Sequence, residues 1–261
     1  LSMLSPAIGG LAEKYGLKGQ RIGEVMAGSV ISHSKDFNLA REALLDAGLS
    51  PQTPGTTLQI ACGTSLQAAL TLGAKIATGE IDSGIAAGSD TVSDSPVVLG
   101  PKMQKRMIAM SRARTTGEKL SAFKGFNFGE ITPVAPSTQE PRTGLSMGEH
   151  CELMAKQWGI SREAQDLLAL RSHQNAAAAY DSGFHDDLIV PCAGIYKDNN
   201  IRPDTSLEKM ATMKPAFDKK SGKGTLTAAN STPLTDGASS VLLASEDWAR
   251  ERDLPILGYL T

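Results

Sequence analysis

Apolar residues recur at helical spacing near the start of the chain (Ile8, Leu11, Ala12, Tyr15), and Gly16 supplies a stop. The run Ile22-Gly23-Glu24-Val25-Met26-Ala27-Gly28-Ser29-Val30 predicts a strand. Asn38 is placed to cap a helix over 39–47, which Gly48 closes ahead of Ser50-Pro51. A short apolar strand from Thr57 and a helix of small residues come next. The run 81–87 after them is mostly small and apolar, the texture of a strand covered on both faces. Strand, helix and strand thus alternate as in βαβ units, which predicts a mixed sheet.

From Ser93 the texture changes. Lys102, Lys105, Arg106, Arg112, Arg114, Lys119 and Lys124 make a basic segment, and Pro133, Pro136 and Pro141 punctuate the stretch after it. Helices are predicted over 147–158 and, with Ser161 as cap and Glu163 near the start, over 161–180. Strand texture returns at 226–230 and 238–244, Ser245 caps a short helix over 246–252, and 256–260 reads as another strand. The organisation expected is a first core part over 1–100, an inserted, mostly helical subdomain over 101–217, and a return to the core over 218–261. Such an insert is too long and too helical to be a linker.

Composition narrows the classes. At 261 residues, 41% hydrophobic and 21% charged, the chain can bury a large core, and a net charge of −2 gives no reason to expect nucleic acid. No run of about 18 apolar residues suggests a membrane span. The opening Leu1-Ser2-Met3 carries no secretory pattern and reads as cut at the front. Three widely spaced cysteines argue against a disulfide framework and for a reducing compartment, the cytoplasm or a mitochondrial matrix; no pair has zinc-ligand spacing, and no metal is expected. The basic run is a solvated face, a docking surface for another subunit, or a contact with an acidic membrane surface, since Phe123, Phe126 and Phe128 interleave with Lys124.

The chemistry centres on Cys62. A thiol where a strand turns into a helix lies among unpaired backbone N–H groups at the positive end of the helix dipole, and both favour the thiolate. A small buried hydrophobe at a strand end is the alternative reading of the same residue. The wording Cys62-Gly63-Thr64-Ser65-Leu66-Gln67-Ala68, followed by Gly84-Ile85-Ala86-Ala87-Gly88-Ser89-Asp90, resembles the nucleophile segment of the thiolases. Ser146-Met147-Gly148 with Glu152, Asp166 to His173, Lys214-Pro215-Ala216-Phe217 and Asn230-Ser231-Thr232-Pro233-Leu234-Thr235-Asp236-Gly237 also resemble that family along the whole chain. The wording is most similar to β subunits of fatty-acid oxidation complexes.

The resemblance implies a layered αβα fold, with a mixed five-stranded-type sheet, helices on both faces and a mostly helical inserted loop domain. It implies that Cys62 begins a buried helix and is the acyl-carrying nucleophile of a 3-ketoacyl-CoA thiolase. Met147, His150, Arg202 and Thr232 would then contact the acyl or coenzyme A moiety. Coenzyme A would be a substrate, with no permanently bound cofactor. The partners implied are acyl-CoA and CoA, a second copy or three in a homodimer or homotetramer, and a hydratase/dehydrogenase α subunit. The family's Gly-His-Pro histidine, Asn-Glu-Ala-Phe asparagine and second cysteine in a Cys-x-Gly turn belong to a C-terminal half, and the chain reads as lacking all three. The chain therefore reads as the N-terminal half plus the insert, expected to be inactive alone. An inert acyl-CoA-binding or scaffold subunit and an acetoacetyl-CoA-forming thiolase remain alternatives. A condensing ketosynthase is disfavoured by Gly-Thr-Ser-Leu-Gln after the cysteine.

Overall fold

The computed structural model describes all 261 residues. The chain opens with helix α1 (Leu4–Lys14), strand β1 (Glu24–Gly28), helix α2 (Leu39–Asp46), strand β2 (Gly55–Leu58), helix α3 (Thr64–Ala77) and strand β3 (Ser83–Asp90). An excursion comes next: β4 (Val98–Leu99), α4 (Pro101–Arg112), α5 (Thr116–Ser121), a 3-10 turn (Phe128–Ile131), β5 (Pro133–Val134), α6 (Met147–Gln157), α7 (Arg162–Asp181) and α8 (Leu207–Ala211). Strand β6 (Gly237–Ala244) returns to the sheet, and α9 (Glu246–Glu251) comes after it.

The sheet runs β2-β1-β3-β6, with β1 parallel to β2 and β3, and β6 antiparallel to β3. Period-two alternation builds the layers. Val25, Ala27, Ile85 and Ala87 point to one face, where Leu4, Ile8 and Ala12 of α1 and Leu39, Ala40, Ala43 and Leu44 of α2 cover them. Met26 and Ala86 point to the other, against Ala68 and Leu72 of α3. Helices therefore cover both faces of an α/β sheet. Several starts are fixed by caps visible in the sequence: the Asn38 side chain accepts from Arg41 N–H, Ser146 and Glu149 form a capping box, and Ser161 and Ser245 each accept from the third helical N–H.

Three expectations are corrected. The sheet has four strands where five were expected. The stretch 226–230 is not a strand, because its donors are taken by side chains: Leu226 N–H goes to the Glu152 carboxylate and Thr227 N–H to Asn230 Oδ1. Residues 256–260 form no strand, and Leu260 lies against Gly73 of α3 instead. No helix is long and apolar enough to cross a membrane.

Candidate active site

The turn between β2 and α3 carries the thiol. After Leu58 the Gln59 amide donates to Val30 O, anchoring this chain to the end of β1. Ile60 and Cys62 bridge across Ala61, whose φ of 44° lies in the left-handed region that costs an L-residue about 1 kcal/mol. The Thr64 hydroxyl holds the turn from inside, donating to Ala61 O at 2.7 Å and accepting Ile60 N–H at 3.0 Å. Gly63 is the N-cap and Thr64 the first helical residue.

Cys62 thus stands exposed in the turn ahead of the helix, not at the start of a buried one. Helix α3 buries only Thr64, Ala68 and Leu72, while Leu66 is 64% exposed. The reason is local: the left-handed Ala61 turns the backbone outward, and helical geometry begins only once Gly63 has accepted the first intrahelical bond, from Gln67 N–H. The N–H groups of Cys62, Ser65 and Leu66 donate to no acceptor in the chain. Donors of that kind beside a thiol can hold an anion formed there.

Two strand glycines make room for the turn. A Cβ on Gly28 would stand 1.9 Å from Leu58 O and 2.6 Å from Thr64 Cγ2, and one on Gly88 would stand 1.9 Å from Ser65 Oγ. Gly28 and Gly88 are register partners, so they form a bare strip across β1 and β3 on which the start of α3 sits. The far end of α3 is tied by Lys75, whose ammonium lies 2.8 Å from buried Glu24; hydrogen bonding to that carboxylate raises the Lys75 pKa above its ordinary value.

The other parallel strands end beside this turn, and two aspartates fix their loops. Asp90 accepts from Val30 and Ile31 N–H at 2.8–3.0 Å. Asp236 accepts from Val92 N–H at 2.8 Å and Ser93 N–H at 3.1 Å, and these bonds, the one from Ser93 foremost, lower its pKa. Ligands of open α/β sheets bind at this carboxyl end of the strands.

The remaining candidate residues hang on a second assembly. Met147, the first residue of α6, is 73% exposed. His150 Nε2 lies 3.0 Å from Thr143 Oγ1 on the same surface. Arg202 folds its guanidinium back onto Asn199 O (2.6 Å) and Ile201 O (3.0 Å), and its N–H donates to His173 Nδ1 of α7. Thr232 is exposed, its hydroxyl 3.4 Å from Pro233 O.

Sequence reasoning missed the links between them. Buried Glu152 of α6 accepts from Thr225 N–H, Thr225 Oγ1 and Leu226 N–H at 2.9–3.0 Å. Buried Asp166 of α7 accepts from Arg162 Nε at 2.7 Å and Asn230 Nδ2 at 2.8 Å, while Arg162 also donates to Met210 O. The helix bearing Met147 and His150, the helix that receives Arg202 and the turn before Thr232 are therefore one hydrogen-bonded unit. No hydrogen bond or ion pair joins it to the Cys62 turn; the chain leaves it through Asp236 to the strand ends near Cys62.

Cys151 and Cys192 are half-buried, and Cys192, expected in a core, offers its thiol to Ser2 O at 3.7 Å. A literal Cys-x-Gly string does occur, at Cys192-Ala193-Gly194, in a tight turn closed by the Cys192–Ile195 bridge. Neither cysteine precedes a helix start.

Comparison with known proteins gives the family. Residues 1–247 match the model of the thiolase N-terminal domain. The chain is 41% identical over 256 residues to 3-ketoacyl-CoA thiolases of Yersinia pestis (strain Pestoides F) and Yersinia pseudotuberculosis (serotype O:1b), a match covering 96% of this chain and 58% of each relative. The acetyl-CoA acetyltransferase of Bacillus anthracis superposes with a TM-score of 0.77 at 30% identity, over 98% of this chain and 62% of that one. Human mitochondrial 3-ketoacyl-CoA thiolase, solved with CoA, gives 0.75 at 25% identity, over 96% and 60%. The chain spans 58% of the length of these curated relatives, and it belongs to the thiolase family, whose N-terminal domain it carries almost end to end.

Proposed function

We propose that the protein containing this chain is a 3-ketoacyl-CoA thiolase, an acyltransferase that cleaves 3-ketoacyl-CoA with CoA to acetyl-CoA and an acyl-CoA two carbons shorter. The observation that carries this reading is the Cys62 turn: an exposed thiol ahead of a helix, with three neighbouring N–H groups uncommitted. In the reaction the Cys62 thiolate attacks the keto carbon, the bond between that carbon and the α-carbon breaks, and the departing acetyl-CoA carbanion takes a proton. A CoA thiolate then attacks the acyl-cysteine carbonyl, releasing the shortened acyl-CoA and restoring the Cys62 thiolate. The backbone donors of the turn would stabilise the oxyanion in both halves. The groups that move the protons would come from the part of the relatives' length that this chain does not span.

Coenzyme A acts here as a substrate, without a resident cofactor. Met147, His150, Arg202 and Thr232 would contact it, a role supported by the common framework that holds them. Assembly as a homodimer or homotetramer, with a hydratase/dehydrogenase subunit as a further partner, belongs to the same reading; β2 and β6 each pair on one edge only. Residence in the cytoplasm or a mitochondrial matrix fits three unpaired cysteines. The test is CoA-dependent cleavage of a 3-ketoacyl-CoA by the full-length protein. Turnover that disappears in Cys62→Ala supports the reading, and turnover unchanged in that variant refutes it.

A further inference from the structure

The donor nearest the thiol is the Cys62 N–H itself, and its direction is set two residues further along the chain. We propose that Thr64 is a positioning residue for the acyl transfer, its hydroxyl aiming the Cys62 N–H at the acyl oxygen; the inference rests on the acyl-transfer reading.

Thr64 is only 3% exposed, although the thiol of the turn it closes stands at the surface. The two branches of its side chain have separate work. The methyl lies over Gly28, where a Cβ would stand 2.6 Å from it, so the sheet limits the rotamer from that side. The hydroxyl is thereby left facing the loop 60–64, donating to Ala61 O at 2.7 Å and accepting Ile60 N–H at 3.0 Å. Those two bonds flank Ala61, whose φ of 44° an alanine does not adopt by preference. Ile60 N–H has no other acceptor in the chain.

A planar peptide carries the effect to the nucleophile. Ala61 O and Cys62 N–H belong to one trans peptide unit, so they point in opposite directions. Two donors hold Ala61 O inward, the Thr64 hydroxyl and, at 3.2 Å, the Thr64 N–H. The Cys62 N–H therefore points out of the turn, and it donates to no acceptor in the chain. Were this peptide unit to turn over, a carbonyl oxygen would stand where the N–H was, and an oxyanion forming beside Cys62 would be repelled instead of held. The hydroxyl bond is the shorter of the two that prevent this. It is also the one a substitution can remove, since Gly63 has no side chain to replace it.

The test compares two reactions of the same thiol in the full-length protein. Transfer of an acyl group from a 3-ketoacyl-CoA builds charge on a carbonyl oxygen, whereas iodoacetamide loses iodide from a saturated carbon and forms no oxyanion. Thr64→Val keeps the shape of the side chain and removes both hydroxyl bonds; Thr64→Ser keeps the hydroxyl and removes the methyl. In Thr64→Val the rate of Cys62 acylation, followed by quenched mass spectrometry, and kcat should fall about 10–100-fold, less than for outright loss of an oxyanion donor. KM should change less than about twofold and the rate of iodoacetamide labelling less than about threefold. Thr64→Ser should stay near wild type in every respect.

Equal falls in acylation and alkylation, an undiminished acylation rate, or a serine variant as slow as the valine one overturns the proposal. A wild-type protein that takes no acyl group on Cys62 refutes the acyl-transfer reading instead. Residue-resolved amide exchange of the wild type needs no variant and no substrate: Ile60 N–H should be protected and Cys62 N–H should not. An Ile60 amide that exchanges as fast as that of Cys62 overturns the role given to the hydroxyl, even where Thr64→Val folds poorly.

Discussion

At the scale of single residues, the position of Cys62 depends on atoms that are missing as much as on those present. The Gly88 Cα–H lets Ser65 Oγ close to where a Cβ would be, 1.9 Å away, so Gly88→Ala must push the first turn of α3 off the sheet. We expect it to cost about 1–3 kcal/mol, the usual range for overpacking, and to change the rate at which iodoacetamide labels Cys62. The obstacle is a side-chain oxygen, so adding Ser65→Ala should restore much of both; denaturant melts of the single and double variants check it. No restoration would place the strain elsewhere. Cys62 itself was legible, because strand, turn and helix are written locally as Thr57-Leu58-Gln59-Ile60 and Thr64-Ser65-Leu66-Gln67. Gly28 and Gly88 were not, since they lie 34 and 26 residues away and meet the turn only across the sheet. The exposure of Cys62 was likewise invisible, because it comes from the left-handed conformation of Ala61, which alanine does not announce.

At the scale of elements, helix starts were readable where a side chain serves its own N-terminus, as at Asn38, Ser146, Ser161 and Ser245. The failure at 226–230 came from Glu152, about 75 residues upstream, whose carboxylate takes donors that a strand would have spent on its neighbour. Removing that carboxylate's charge tests the point. Glu152→Gln should cost about 1–3 kcal/mol, because buried N–H groups lose part of their acceptor. It should loosen the Thr225–Asn230 segment selectively, read as faster amide exchange there. Equal protection in variant and wild type would show that the segment is held by packing alone. Helix α4 was passed over because its methionines at 103, 107 and 110 are diluted by basic residues, although Pro101 directly after Gly100 marks a helix start.

A pH dependence belongs to the same scale. Asp236 has its carboxyl below the ordinary value of 3.8, because backbone N–H groups of Ser93 and Val92 bond its ionised form. A lowered carboxylate pKa adds stability that is present above the unfolded-state value and lost as pH falls through the folded one. Acidification below about pH 4 should therefore weaken the loop after β3, and Asp236→Asn should remove that part of the acid dependence. Acid unfolding curves that superpose for the two proteins would contradict it.

At the scale of the whole molecule, the chain divides between a sheet that presents a thiol, a hydrogen-bonded α6–α7 unit that presents the residues proposed to meet coenzyme A, and a basic excursion between β4 and β5. The functional reading stands or falls on Cys62 carrying the acyl group. Peptide mass spectrometry of the full-length protein, quenched after brief exposure to acyl-CoA, decides it. The acyl mass should sit on the peptide containing Cys62, be discharged by added CoA, and be absent from Cys62→Ser, whose hydroxyl a helix dipole worth about 0.3–1 kcal/mol cannot ionise. An acyl group on Cys151, on Cys192 or on a cysteine outside this chain, with Cys62 unmodified, would contradict that assignment.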